Sequence, residues 1–504
     1  KQANVKTIKN KKKESENPPW FDLSCKNLKN EIKLTGKKIK SNPHNNILKE
    51  KLSDLKRKLK KEVKKNKWTY QNTVIQKMNW SKKDGKTFWK LLGKLDKKSG
   101  ENIFKEGISG DRWVSHFESL SNLETEAKKK ESFPKNTTKK GQLDYDITSE
   151  EIKLASYVLR NGKSPGFDSI SNEMIISLLN VRPDAIKTLF NSIFKHPEGL
   201  SAWNTSMIIP IYKKGSKMNP ENYRGISLLS CLGKFFTAIL NQRLLEFAVK
   251  NNILSRAQLG FMPGNRTSDA LLILHNIINY YCHKKKSHIF GCFVDFEKAF
   301  DKVPRNILFQ KLLNYNINGE FYNCLVHLYT DDKTCVKIGP YISSFFNRTQ
   351  GVKQGCILSP LLFNIFLSDF QHVIEKKEND PVEIQSGETL GCIIWADDIV
   401  LLAKSEDGLK NMLKKLRSYT EENGMSINAT KTKVMIFNKT GRHIRRSFRY
   451  GEKKIESTRQ YKYLGFLLTP SGEICSGLKD LKDIGIKAFM KIKKNMGSHG
   501  LLSV

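Results

Sequence analysis

Acidic residues are scarce in this chain: 50 Asp and Glu stand against 88 Lys and Arg in 504 residues, a formal charge of +38. So self-repelling a surface calls for an acidic partner. Nucleic acid leads a membrane surface for that role, because no apolar run approaches the roughly 20 residues that span a bilayer. The opening KQANVKTIKNKKK lacks the apolar stretch of a secretory leader, so an intracellular protein is expected, and a start on Lys rather than Met suits excision from a longer chain. The nine cysteines include no C-x-x-C pair, which argues against a disulfide framework and against structural zinc. Cys282, His283, His288 and Cys292 lie close in sequence, but their spacing matches no common zinc finger. Gly162-Lys163-Ser164 ends like a phosphate-binding loop, yet Tyr157 stands where its upstream glycine is needed, which excludes that chemistry.

What is present falls into two textures. Residues 1–145 are Lys-rich and poor in apolar runs. Within them Leu48, Leu52, Leu55, Leu59 and Val63 recur at helical spacing among Lys51, Lys56, Arg57, Lys58, Lys60, Lys61, Lys64 and Lys65, the pattern of a basic amphipathic helix. Its Leu stripe suits packing on a core, and its Lys face suits phosphate. A polar linker is expected around 124–140. From 146 the pattern is that of a packed α+β domain, opening on a helix at EEIKLASYVLR. Helical patterns prevail to about 284. Strand-like segments follow at 288–296, 334–339, 391–403 and 433–438, alternating with helical patterns at 360–377 and 406–424.

Chemistry enters where charge interrupts these strands. In CIIWADDIVLLA the pair Asp397-Asp398 breaks an apolar run, and in FVDFEKAFD Asp295 breaks another. An isolated Asp-Asp reads as an ordinary turn. Two such interruptions on core strands point to a cation site, because half-buried carboxylates are costly unless a cation meets them. A tight hairpin between the strands flanking Asp397 and Asp398 presents both to one groove. Nucleotidyl transfer explains the set. One Mg²⁺ lowers the pKa of a primer hydroxyl and a second stabilises the leaving pyrophosphate, with Mn²⁺ an alternative.

The ordered blocks NGKSPGFDSISNEMI (161–175), IIPIYKKGSKMNPENYRGISLLSCLGKFF (208–236), QLGFMPGNRTSDA (258–270), FVDFEKAFD (293–301), QGVKQGCILSPLLFNIF (350–366), WADD (395–398), GMSINATKTKVM (424–435) and YKYLG (461–465) resemble the reverse transcriptases of non-LTR (LINE-type) retrotransposons. The basic N-terminal stretch with PPWFD (18–22) resembles the connector after the endonuclease in the apurinic-endonuclease type, here a fragment lacking that endonuclease. The resemblance implies an α+β right-hand polymerase with helical fingers (146–285), an antiparallel-sheet palm (286–455) and the palm's end with the start of a thumb (456–504). The basic helical extension precedes it.

The resemblance also assigns roles. Asp295, Asp397 and Asp398 are implied as metal ligands and Lys431 as the proton donor to pyrophosphate. Phe296, Phe300, Gln354, Gly355, Arg224 and Lys234 are implied around the nucleotide, with Phe300 the steric gate against a 2′-hydroxyl. Lys213, Arg266, Tyr463, Leu464 and Gly465 are implied at template and primer. Implied partners are an RNA template, a DNA primer at a nicked target and deoxynucleotides, with no membrane, in the nucleus and a cytoplasmic ribonucleoprotein. Trp395 replaces the family's Tyr or Phe, and Gly225 replaces its Pro, which is expected to loosen the fingers. The rivals are an RNA-dependent RNA polymerase, opposed by Phe300, and a decayed remnant that only binds RNA, opposed by the three intact aspartates.

Overall fold

The computed structural model describes Pro18 and residues 20–80, 108–122, 133–339, 341–384 and 387–497. Among them no helix is long and apolar enough to cross a membrane. The chain divides into two compact units, one formed by 1–101 with 482–504 and the other by 102–481.

In the first unit the Lys-rich sequence folds as two packed helices, Leu23–Ser41 and Asn46–Trp80. Asp22 caps the first by accepting from the Cys25 N–H at 2.9 Å. The expected Leu stripe turns inward: Leu55 is buried with Cys25 and Val74, while the lysines between stay exposed. The boundary near 145 moves. Residues 108–122 belong to the second unit, where helix Gly110–Ser121 buries Trp113 and Phe117 against Ile208, Tyr223 and Val336. Part of the expected linker is anchored too, since Pro134 accepts from the Tyr322 hydroxyl at 2.7 Å and Phe133 meets Phe309 edge-on. Residues 124–132 lie outside the described residues.

The second unit carries two sheets that position everything else. The first runs Tyr223–Leu228, Ser206–Tyr212, Lys333–Ile338, Tyr341–Ile342, with Phe346–Asn347 also on Lys333–Ile338. Strand Lys333–Ile338 lies parallel to Ser206–Tyr212, so a segment from beyond residue 285 completes a sheet begun before it. The second sheet runs Phe448–Tyr450, Lys453–Ser457, Lys433–Phe437, Ile289–Asp295, Asp398–Ala403, Cys392–Trp395. It is antiparallel except for Lys433–Phe437 against Lys453–Ser457.

Both faces of this palm sheet are covered, which is why its strands read as unbroken apolar runs rather than alternating ones. Cys292, Val294, Ile399, Leu401, Val434 and Ile436 face one core with Phe363, Leu409 and Leu416. Phe293, Val400, Leu402, Met435 and Phe437 face the other with Ala270, Leu274 and Ile278. Helix Glu406–Glu422, capped by Ser405 accepting from the Gly408 N–H, supplies Leu409 and Leu416.

Candidate active site

With both faces of the sheet filled, a charge on these strands has room only at their ends. Asp295 is the last residue of its strand and Asp398 the first of the neighbouring one, and they are direct partners across the antiparallel pair. Asp397 lies in the two-residue turn between Trp395 and Asp398, which are themselves paired. The three aspartates thus share one end of the sheet. A third segment docks there: Asn428 N–H donates to the Asp295 carbonyl at 2.8 Å, and Asp295 N–H donates to Thr432 Oγ1 at 3.2 Å. That turn delivers Lys431, whose Nζ sits 3.2 Å from Asp295 Oδ2.

The aspartates act on one another. Burial, then the charges of Asp397 and Asp295, pushes the Asp398 carboxyl up to about 6. Burial raises Asp397 too, with Asp295 adding to the effect and Arg224 and Lys213 opposing it. The fingers strands supply those cations. Arg224 pairs with Ile211 across the strands, and Lys213 N–H donates to Asn222 O at 2.8 Å. Burial, then the charges of Arg224 and Lys431, lowers the Lys213 ammonium. Tyr461 stands near as well: burial, then Asp398 and Asp295, pushes its hydroxyl up to about 12.

Carboxylate oxygens that repel one another are the donor set a hard divalent cation takes, so the residues fit such an ion. Among the described residues no three His, Cys, Asp or Glu side chains converge closely enough to hold one as they stand; the backbone gathers the three aspartates, and Asp295 meanwhile pairs with Lys431. Burial and mutual repulsion together have a measurable sign. A carboxyl held above its ordinary value of 3.8 weakens the fold when it ionises: the penalty is absent below that value and complete above about 6. Asp398→Asn should therefore raise the thermal unfolding midpoint at pH 8, by a few degrees at most given the exposure of the carboxylate, and should change little at pH 3. Calorimetry at both pH values checks it.

The other expected residues divide. Phe296 is buried and bridges to Ile427. The Phe300 ring stacks on Phe363 with centroids 4.6 Å apart and meets Phe261 edge-on at 5.9 Å, so it forms a backed wall rather than a free side chain. Gln354 Nε2 donates to Asp301 Oδ2 at 2.9 Å. Gly355 stands at φ +112°, where a Cβ would lie 2.7 Å from Ser227 O, so only glycine suits the position. Lys234 lines a small cavity with Tyr329, Lys353 and Cys356. Arg266 precedes helix Thr267–Ile278, its N–H donating to Asp269 Oδ2 at 2.7 Å. Tyr463 faces the core beside Phe293, while half-buried Leu464 and exposed Gly465, both at positive φ, form a two-residue hairpin turn.

Sequence reasoning missed Asp301, Asn428 and Thr432. Asp301 ends the quoted FVDFEKAFD block, and burial pushes its carboxyl up to about 6 against the pull of Arg348 and Lys298. Gly225 reverses its expectation: a Cβ there would lie 2.6 Å from Phe117 Cε1, so the position is packed, not loosened. Trp395 is partly buried against the second core.

The family described as Reverse transcriptase (RNA-dependent DNA polymerase) matches residues 211–468, just over half of the chain. The chain is 25% identical over 337 residues to the Retrovirus-related Pol polyprotein from type-1 retrotransposable element R2 of Nasonia vitripennis, covering 65% of this chain and 32% of that one. It is 29% identical over 333 residues to the RNA-directed DNA polymerase from mobile element jockey of Drosophila melanogaster, covering 64% and 35%. The chain thus spans about a third of the length of these relatives. Among solved structures it is similar to apo telomerase from Candida Tropicalis truncated from C-terminal domain, at 13% identity over 73% of this chain and 87% of that one, with a TM-score of 0.38.

Proposed function

The chain belongs to the reverse transcriptase (RNA-dependent DNA polymerase) family, and from that membership we propose that it copies RNA into DNA for a mobile element of the non-LTR type, at Asp295, Asp397 and Asp398. The observation that carries the proposal is the direct pairing of Asp398 with Asp295, beside Asp397, within the field of Lys213, Arg224 and Lys431. Asp295, Asp397 and Asp398 would hold two Mg²⁺ ions, which when bound lower the pKa of the primer 3′-hydroxyl and offset charge on the triphosphate.

The chain's own residues do the rest. Lys213 and Arg224 neutralise phosphate oxygens that would otherwise meet three carboxylates. Lys431, which pairs with Asp295, would give a proton to the departing pyrophosphate. Asp301 fixes Gln354 so that its remaining amide atoms meet sugar or phosphate, and Gly355 lets the nucleotide approach the backbone. Phe300, backed by Phe363, excludes a 2′-hydroxyl because it has nowhere to retreat. The Leu464-Gly465 turn meets the primer end, while Lys234, Arg266 and the lysine faces of Leu23–Ser41 and Asn46–Trp80 meet template phosphates. The proposed setting is a ribonucleoprotein that primes on a nicked chromosomal target in the nucleus.

The test is elongation of a DNA primer on RNA strands of defined sequence with deoxynucleotides and Mg²⁺. Product complementary to each RNA supports the proposal, and product independent of the RNA contradicts it. Opening the wall tests the sugar preference: Phe300→Val should raise ribonucleotide use by at least about tenfold. Unchanged discrimination in that variant would remove Phe300 from the role.

A further inference from the structure

The turn carrying Asp397 is held in a shape that its own residues do not favour. Ala396 stands at φ +58°, in the left-handed region, where a residue with a Cβ is disfavoured. Trp395 and Asp398 are directly paired, so two residues must close the hairpin, and any relaxation of Ala396 swings Asp397.

Segment 257–260 lies beneath the turn and holds it. Ile394 N–H donates to Ala257 O at 2.9 Å, and Leu259 N–H donates to Ile394 O at 2.8 Å. Between them Gln258 Oε1 accepts from Ala396 N–H at 3.1 Å and from Gly260 N–H at 2.8 Å. Gln258 is 5% exposed, and its Nε2 has no hydrogen-bond partner among the described residues. The amide orientation follows from chemistry, because the reverse orientation would set an NH₂ group against two N–H donors. Asn364 Nδ2 donates to Gly260 O at 3.0 Å, anchoring the segment to the helix that carries Phe363 and backs Phe300.

We propose that Gln258 is a positioning residue for nucleotide transfer: its side-chain carbonyl holds the Ala396 N–H and thereby aims the Asp397 carboxylate toward Asp295. The inference rests on reading these aspartates as the polymerising site. Gln258 acts through the turn and touches no substrate. An ordinary buried glutamine would serve the fold alone. This one bonds the single residue of the turn whose conformation is costly, next to the residue whose aim matters.

The compensating change follows from the same physics. Glycine adopts a positive φ without the Cβ penalty, so Ala396→Gly should let the turn keep its shape without the clamp. On primed RNA, Gln258→Ala should lower kcat by about 10- to 100-fold, as loss of a partner behind a metal-binding carboxylate does, with the KM for deoxynucleotide and the Kd for primer–template unchanged. Adding Ala396→Gly should recover most of that loss. Hydrogen exchange across residues 392–399 reads the turn without turnover and should be faster in Gln258→Ala. A kcat near that of the unaltered chain, or a loss that Ala396→Gly does not recover, would overturn the proposal. Unchanged exchange would overturn it whether or not the chain polymerises, whereas a silent unaltered chain with faster exchange in Gln258→Ala would indict the polymerase reading and leave the clamp standing as a feature of the turn.

Discussion

Gly260→Ala is expected to lower primer extension by about a hundredfold while the chain remains folded. A Cβ on residue 260 would lie 2.3 Å from Ala396 N and 2.9 Å from the Trp395 carbonyl carbon. Both obstacles are backbone, so no side chain can swing away, and the hairpin itself must move. Its far side cannot yield cheaply, since Asp398–Ala403 is paired along its length with Ile289–Asp295. The displacement therefore falls on Asp397 and on its distance to Asp295. Overpacking of this kind costs about 1–3 kcal/mol of stability, too little to unfold a domain with so large a core. Steady-state extension with circular dichroism as the control checks it. Activity within twofold of the unaltered chain would mean that the segment beneath the turn is not in the contact described.

The second large effect is on stability. Asp332 is fully enclosed and meets three cations: Arg305 Nη2 at 2.8 Å, Arg348 Nη2 at 3.0 Å and Lys353 Nζ at 3.3 Å. Arg305 also donates to the carbonyls of Gly351, Tyr329 and Arg348, and Lys353 donates to that of Leu328. The network ties the segment leading to Gln354 and Gly355 to the base of the fingers sheet. Asp332→Ala leaves buried positive charges without their anion, and removing one partner of such a group costs about 3–5 kcal/mol. Urea unfolding should show this as a lower midpoint with the slope unchanged.

The pH dependence of this network has a definite sign. Burial alone would raise the Asp332 carboxyl; Arg348, Lys353 and Arg305 together bring it down to about 2 from an ordinary 3.8. Its contribution is complete above the ordinary value and is lost as pH falls toward 2. A midpoint for Asp332→Ala equal to that of the unaltered chain at pH 7 would show that the cations find other partners.

How much of this was legible beforehand differs from residue to residue. Asp295, Asp397 and Asp398 were legible because a charge on an otherwise apolar strand has to be explained locally; the strands end closer to them than the segments 288–296 and 391–403 indicated. The Leu stripe from 48 to 63 was legible for the same local reason, helical periodicity. Asp332 was not. It looks like any acid in a loop, and its partners lie 27, 16 and 21 positions away in sequence, with no pattern linking them. Helix Gly110–Ser121 was also hidden, since its polar texture conceals Trp113 and Phe117. The side-chain-free surface at Gly225 receives Phe117, and Tyr223 meets Trp113 edge-on, contacts no local pattern foretells. Gln258 and Gly260 sat in a quoted block, but a glutamine and a glycine carry no signal until the turn above them is in place. Tyr463 shows the converse, because a motif match could not tell that its ring faces inward.

The central claim is that the three aspartates carry nucleotide transfer directed by RNA. The measurement that tests it most directly is extension of a DNA primer annealed to RNA, with deoxynucleotides and Mg²⁺, by the unaltered chain and by Asp397→Ala under single-turnover conditions. The account predicts template-dependent product from the first and a rate lower by about a thousandfold or more from the second, with both binding the primer–template equally. Equal rates from the two proteins would contradict it.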